Sequence, residues 1–317
     1  CDGNPWNIKF QAMFMMNSDS YLFKTREDLI EIGAKSQGSN WFLPNGEKYI
    51  RLYEGKMFGL ANHRSADVIK SVKAIKRQNQ PSYLTEKELE NPNRMAISYY
   101  WVPESEVRKR SPFINNGWMI GVSKVTSPTN FRTFISSILP EVGAGDSTLI
   151  INSEFAYLNQ GYSAALIGCL NSICFDYIAR QKIGGLNMNF YLQKQLPVIP
   201  PSAFTKEDLQ FISKRIKIIY CNSIDMKSFS KSIDGVENII PFNKVDIDIA
   251  RAELDAYYAY LYGLNLHELK YILDPHEVME GDYPSETFRV LKNNEMREFG
   301  EYKTQKLILN AWNNLFG

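Results

Sequence analysis

The sequence predicts an α+β chain, with a mixed-sheet region over residues 1–204 and a mostly helical region over 205–317. Three observations predict it. Before about residue 160, short alternating apolar runs are separated by glycine, proline and asparagine, the pattern of strands and turns. After Thr205 the apolar residues recur at three- and four-residue spacing, the period of a helix face. Between the two, Leu196-Pro197-Val198-Ile199-Pro200-Pro201 reads as a rigid extended crossing and marks a domain boundary.

Taken in order, Ile50-Arg51-Leu52-Tyr53 reads as a strand running into the turn Glu54-Gly55-Lys56. Residues 65–116 read as polar and irregular, because Pro81, Pro92, Pro103 and Pro112 interrupt any long element. Trp118 to Val125 alternates like a strand, Phe131 to Leu139 is a compact apolar run, and Thr148-Leu149-Ile150-Ile151 is a further strand. Gly143-Ala144-Gly145-Asp146 precedes that strand. A nucleotide-binding glycine loop follows a strand and opens a helix, so this one reads as a turn. Ala164 to Ala179 reads as a helix with Leu166, Leu170, Ile173 and Tyr177 on one face, ended by Gly184-Gly185. Thr205 with Asp208 has the form of a capping box and leads into a helix from Leu209 to Tyr220. The Ser-rich interval 222–246 reads as polar and is followed by a helix carrying Ile247, Ala250, Leu254, Tyr257 and Leu261, stopped at Gly263. Three more helices are expected near 265–273, 284–298 and 302–315, and no internal repeat occurs.

Hydrophobic residues make up 44% of the 317 positions and aromatics 13%, enough for a packed core and incompatible with wholesale disorder. No apolar run approaches the ~18 residues of a membrane span. The polar start Cys1-Asp2-Gly3-Asn4 has no signal-peptide pattern and no initiator Met, so a cytoplasmic fragment of a longer chain is expected. Cys1, Cys169, Cys174 and Cys221 have no zinc-ligand spacing. Cys169 and Cys174 fall within an apolar helical pattern, so reduced, buried thiols are expected, with neither zinc nor a disulfide. The net charge of +1 lacks the basic excess of many nucleic-acid binders, although a neutral chain can still carry a basic face.

Catalytic signatures are scarce. Methylation of an exocyclic amine calls for Asn/Asp-Pro-Pro-Tyr/Phe, whose polar groups accept the amine hydrogens while the ring stacks on a flipped base. Asn91-Pro92-Asn93-Arg94 and Asp274-Pro275-His276-Glu277 both fail at the third and fourth positions. There is no Gly-x-Ser-x-Gly elbow, and His63, His267 and His276 read as structural or surface residues. Glu54-Gly55-Lys56 fits the Glu-x-Lys half of a magnesium nuclease, but Glu301-Tyr302-Lys303 fits it equally well. Trp101 and Trp118 flank apolar runs and read as core.

Several stretches, in order along nearly the whole chain, together resemble one family. They are Met16-Asn17-Ser18-Asp19-Ser20; Leu52-Tyr53-Glu54-Gly55-Lys56-Met57 with His63-Arg64; Tyr100-Trp101-Val102-Pro103 with Glu106-Val107; and Gly117-Trp118 leading to Thr129-Asn130-Phe131-Arg132-Thr133 and Ile138-Leu139-Pro140. Further on come Arg180-Gln181-Lys182-Ile183-Gly184-Gly185, Gln195 to Pro201, Ala250-Arg251-Ala252-Glu253-Leu254-Asp255-Ala256, Leu261-Tyr262-Gly263-Leu264, Ile272-Leu273-Asp274-Pro275 and Gly300-Glu301-Tyr302. This set resembles the C-terminal part of large adenine-specific (N6) DNA methyltransferases of the single-chain, type IIG-like restriction–modification and phage-defence systems. The resemblance implies a DNA target-recognition region followed by a helical tail. It also implies that the catalytic tetrapeptide and the S-adenosylmethionine site lie upstream, so that this stretch holds no catalytic residue, cofactor or metal. The implied partners are double-stranded DNA and the catalytic methyltransferase domain of the same parent chain, with no membrane.

A recognition surface holds the duplex through its phosphates and reads base edges in a groove, tasks suited to Lys, Arg, Asn and Gln. In the acid-free stretch from Val68 to Leu84, Lys70, Lys73, Lys76 and Arg77 are candidate phosphate contacts, or simply a solvated charged face. Arg180 and Lys182, followed by Gly184 and Gly185 and then Asn187 and Asn189, are the foremost candidates, because glycines admit close backbone approach. The competing reading is a helix C-cap. Tyr53, Lys56 and Arg64, and also Lys124, Asn130 and Arg132, complete the expected contacts. Two other functions fit the sequence: a magnesium-dependent nuclease using Glu54 and Lys56, and a non-catalytic protein–protein module whose helical tail docks a partner.

Overall fold

A computed structural model of the chain describes residues 3–70, 79–111, 116–279 and 286–317. Its strands in chain order are β1 (Ile8–Ala12), β2 (Lys35–Gln37), β3 (Asn40–Phe42), β4 (Lys48–Tyr53), β5 (Ala66–Lys70), β6 (Asn79–Tyr83), β7 (Trp101–Pro103), β8 (Trp118–Ser123), β9 (Ser136–Pro140), β10 (Gly143–Ala144) and β11 (Thr148–Ser153). The central sheet runs β1-β11-β8-β9, antiparallel throughout. A second sheet, β2-β3-β4, is antiparallel; β4 also pairs with β7 at Tyr49–Arg51 and, in parallel, with β10 at Leu52–Tyr53. β5 and β6 form a separate hairpin. The class is α+β, as the sequence predicts.

The period-two alternation of the central strands accounts for the layering. Trp118, Ile120, Val122, Ile138, Leu149 and Ile151 point into a core shared with helices. Their neighbours Met119, Leu139 and Ile150 point the other way, into a core shared with Ile50, Leu52 and Tyr53 of β4. Successive side chains of a strand face opposite sides. The central sheet is therefore apolar on both faces and lies between a helical layer and the second sheet.

The helical layer corrects several local expectations. Residues 164–179 are not one helix but two, Tyr162–Asn171 and Ile173–Lys182, bent by 54°. Ser172 makes the break: its backbone is extended and its hydroxyl accepts the Phe175 N–H, capping the second helix. That helix ends at Lys182 with Ile183 extended as its C-cap, so Gly184-Gly185 lie beyond the end and do not cause it. The Ser-rich interval contains the Lys227–Asp234 helix, closed by Gly235 at φ +82°. Residues 65–116 are more regular than their prolines suggest, holding β5, β6, β7 and the helices Glu86–Leu89 and Glu104–Arg110. Gly143-Ala144 is a short strand, β10, with the turn after it.

The capping box at Thr205 forms with both reciprocal bonds and opens the Lys206–Tyr220 helix. Lys244–Leu261, Leu266–Leu273, Arg289–Phe299 and Lys303–Phe316 follow. The expected division at 204/205 does not interrupt the core. Ile212, Ile216, Tyr220, Phe229 and Tyr258 share one apolar cluster with Trp6, Trp118 and Ile138. Gly168 lets Tyr258 pack against the helix, since a Cβ there would lie 2.7 Å from the Tyr258 hydroxyl, which donates to the Ala165 carbonyl at 2.7 Å.

No single helix among the described residues is long and apolar enough to cross a membrane. Cys169, Cys174 and Cys221 are buried free thiols, and burial pushes the Cys169 thiol up to about 11. Trp101 and Trp118 are core residues.

Candidate nucleic-acid interface

Four chain segments that are distant in sequence meet at one end of the two sheets. β4 ends at Tyr53, whose carbonyl accepts from Gly145 N at 2.9 Å and from the Thr148 hydroxyl at 3.2 Å. This fastens the Glu54-Gly55-Lys56 turn beside the Gly145–Ser147 turn, where Gly55 N donates to Ser147 Oγ at 2.9 Å. The Ser147 carbonyl accepts from Lys124 N at 2.9 Å, just beyond the end of β8. The Lys124 carbonyl in turn accepts from Met188 N at 2.8 Å, and Thr126 N donates to the Leu186 carbonyl at 3.0 Å. Val125 and Asn187 thus form an isolated antiparallel bridge, and buried Met188 pins the loop that presents residues 184–189.

On the other flank, Lys56 Nζ donates to the Asn79 carbonyl at 2.7 Å and pairs with Glu54 at 2.9 Å. Asn79 is the β6 residue opposite Lys70 at the end of the hairpin. Direct hydrogen bonds and strand pairing therefore join Lys70, Lys56, Lys124 and the 184–189 loop into one ridge. Lys70, Lys182, Gly184, Gly185, Asn187 and Asn189 are exposed, and Lys56, Lys124 and Asn130 are half-buried. Lys73, Lys76 and Arg77 lie outside the described residues.

Four expected contact residues are placed in the interior instead, which corrects their assignment to the DNA face. Tyr53 is fully buried, and burial raises its hydroxyl to about 12. Arg64 is fully buried and donates to the carbonyls of Leu89, Asn91, Arg94 and Asn222 and to the Asn222 side chain. Arg132 pairs with Asp255 at 3.2 Å in the core. Arg180 bonds Asp176 and the carbonyls of Pro128, Asn130 and Thr287, and its guanidinium lies over the Phe288 ring. These arginines are staples between segments. Sequence spacing does not distinguish a staple from a phosphate contact, because both tasks use the same fork of donors.

The glycines separate by task. A Cβ on Gly55 would lie 2.6 Å from the Ser147 carbonyl oxygen, so the turn needs glycine there. A Cβ on Gly184 or Gly185 would meet nothing within 4 Å, and neither residue has a left-handed φ. The fold requires neither of them. We expect Gly55→Ala to cost about 1–3 kcal/mol through overlap with fixed backbone, and Gly184→Ala and Gly185→Ala to change stability by less than about 0.5 kcal/mol. Urea denaturation of the three variants checks this; equal losses at Gly55 and Gly184 would contradict it.

Sequence reasoning missed Asn79 and Ser147, which enter the ridge through contacts between remote segments and carry no local signal. It also missed the apolar tips. Leu186 is 66% exposed, Val125 61% and Tyr191 76%. For Leu186 a signal did exist: an aliphatic residue between Gly-Gly and Asn in a loop has little reason to be there on folding grounds.

The buried His63 is not the base of a nucleophilic triad. The Ser223 hydroxyl and the Asp225 carboxylate both lie 3.0 Å from its Nε2, whereas a triad places serine and acid on opposite ring nitrogens. Among the described residues no group of three or more His, Cys, Asp or Glu side chains could hold a metal ion. No family model, curated protein or solved structure matches the chain.

Proposed function

We propose that this chain recognises duplex DNA for a larger S-adenosylmethionine-dependent adenine-N6 methyltransferase, the methyl transfer belonging to a catalytic domain outside these residues. The observation that carries the reading is the 182–189 loop. It is held rigidly by Met188, Thr126 and Lys124, yet it presents Lys182, Asn187, Asn189 and two glycines that the fold does not use. Lysines at its root and at Lys56 and Lys70 suit phosphates. Asn187 and Asn189 suit the N6/N7 edge of adenine. The bare Gly184-Gly185 backbone admits close approach by a phosphate or a base. The sequence resemblance supplies the methyltransferase context.

The test is anisotropy titration of the chain against duplex oligonucleotides at rising salt. Binding should weaken steeply with salt, and Lys124→Ala combined with Lys182→Ala should flatten the log–log slope by about two. Asn187→Ala should cost about 1–3 kcal/mol on the preferred sequence and relax discrimination there. Absence of any salt-sensitive binding at micromolar protein overturns the proposal.

A further inference from the structure

A cleft of about 220 Å³ lies between the Lys244–Leu261, Arg289–Phe299 and Lys303–Phe316 helices, with Phe131-Arg132 as its fourth wall. Its carboxylates are already engaged. Asp248 accepts from Lys244 and, at 2.9 Å, from Lys303. Glu295 accepts the Thr304 N–H at 2.7 Å and the Thr304 hydroxyl. Asp255 accepts from Ile173 N at 2.7 Å and from Arg132 Nη2 at 3.2 Å.

The cations are not so matched. Arg132 is 2% exposed, yet its Nη1 is buried with no hydrogen-bond partner among the described residues. Arg251, which lines the same cleft, makes no hydrogen bond or close ion pair with a described residue. Burial pulls its guanidinium below the usual arginine range, although Asp255 and Asp248 oppose that. Arg132 Nη1, buried without an acceptor, is costly to desolvate, whereas Arg251 is half-buried and open to the cleft. The walls carry four cations, Arg132, Lys244, Arg251 and Lys303, against three carboxylates, Asp248, Asp255 and Glu295, an excess of one positive charge.

We propose that this cleft binds a phosphate group, with Arg251 and Lys244 donating to its oxygens and buried Arg132 adding its positive charge from the wall. Phosphate offers more acceptor oxygens than a carboxylate, and arginine forks match it well. The phosphate can come from a free phosphorylated small molecule or from a nucleic-acid backbone. The site does not depend on the ridge being a DNA surface.

The experiment is ³¹P NMR titration of inorganic pyrophosphate with the whole chain at fixed ionic strength. Saturable line broadening is expected. Arg251→Gln should weaken binding about tenfold or more, the loss of charge-assisted hydrogen bonds. Lys244→Gln, an exposed change that leaves folding intact, should weaken it less, and Lys182→Ala on the ridge should leave it unchanged. Displacement of pyrophosphate by duplex DNA identifies a backbone phosphate as the ligand; retention in the presence of duplex identifies a free one. No broadening by millimolar pyrophosphate, or equal binding by wild type, Arg251→Gln and Lys244→Gln, overturns the proposal. DNA binding by the ridge is read separately, so the two ideas can fail independently.

Discussion

Arg64→Ala should leave the chain close to unfolded, with a loss of at least about 4 kcal/mol by urea denaturation. The guanidinium reaches four backbone carbonyls and one side-chain oxygen, at 2.6–3.0 Å, in a fully buried position. Removing it strands these acceptors away from water, at about 1–3 kcal/mol for each that cannot find another partner. Total stabilities of only about 5–15 kcal/mol make such a loss decisive. The bonds also tie together three regions: the start of the β5 hairpin, the 89–94 segment and Asn222 beyond the Lys206–Tyr220 helix. Arg64→Lys should recover little, because one ammonium cannot span acceptors arranged for a planar fork. A loss below about 1 kcal/mol for the alanine variant would show that water or neighbouring donors replace the fork.

Asp225→Asn should cost about 3–5 kcal/mol at neutral pH and flatten the acid side of the stability profile. Asp225 meets His63 at 3.0 Å, the Ser223 hydroxyl at 2.6 Å and Arg51 at 3.4 Å. Burial opposes its ionisation, but His63, Arg51 and Ser223 together outweigh burial and hold the carboxyl well below the usual carboxylate range. A folded pKa depressed below the unfolded value of about 3.9 contributes stability that is fully present above that value. The contribution is lost as pH falls through the folded pKa. Wild-type stability should therefore drop steeply below about pH 4. The Asn variant should fall less steeply, keeping a residual slope from Asp208 and Asp248, whose pKa values are also lowered. Chemical denaturation from neutral to acid pH checks this, and identical slopes for the two proteins would assign the acid limb to other carboxylates.

Both predictions concern residues whose meaning the sequence alone does not convey. Arg64 follows a strand and a turn, where exposed basic residues are common, and in sequence it reads as a DNA contact, while His63 reads as a structural or surface residue. What makes the pair a staple is Asn222, Ser223 and Asp225, about 160 residues away. Arg180 has the same history: the sequence places it at the end of a helix, a natural place for a surface cation, and Phe288 and Thr287 from a remote segment enclose it.

Local physics settled much of the rest. The capping box at Thr205, the 3,4,3,4 face from Ile247 to Leu261 and the alternation of β8 and β11 are each written in adjacent residues, and each element forms near its expected bounds. Where local signals conflicted with packing, packing won. The apolar helical pattern from Ala164 to Ala179 is interrupted only by Asn171-Ser172 and Asp176, and the 54° bend falls at Ser172. Residues on both sides of 204/205 bury their apolar faces in one core.

The sequence by itself determined the α+β class and the order of most elements, because helix caps and periodicity act over a few residues. Only the tertiary structure decided which cations face solvent. That choice depends on which remote carbonyls and carboxylates come within about 3 Å of each donor, and chain spacing does not encode that distance.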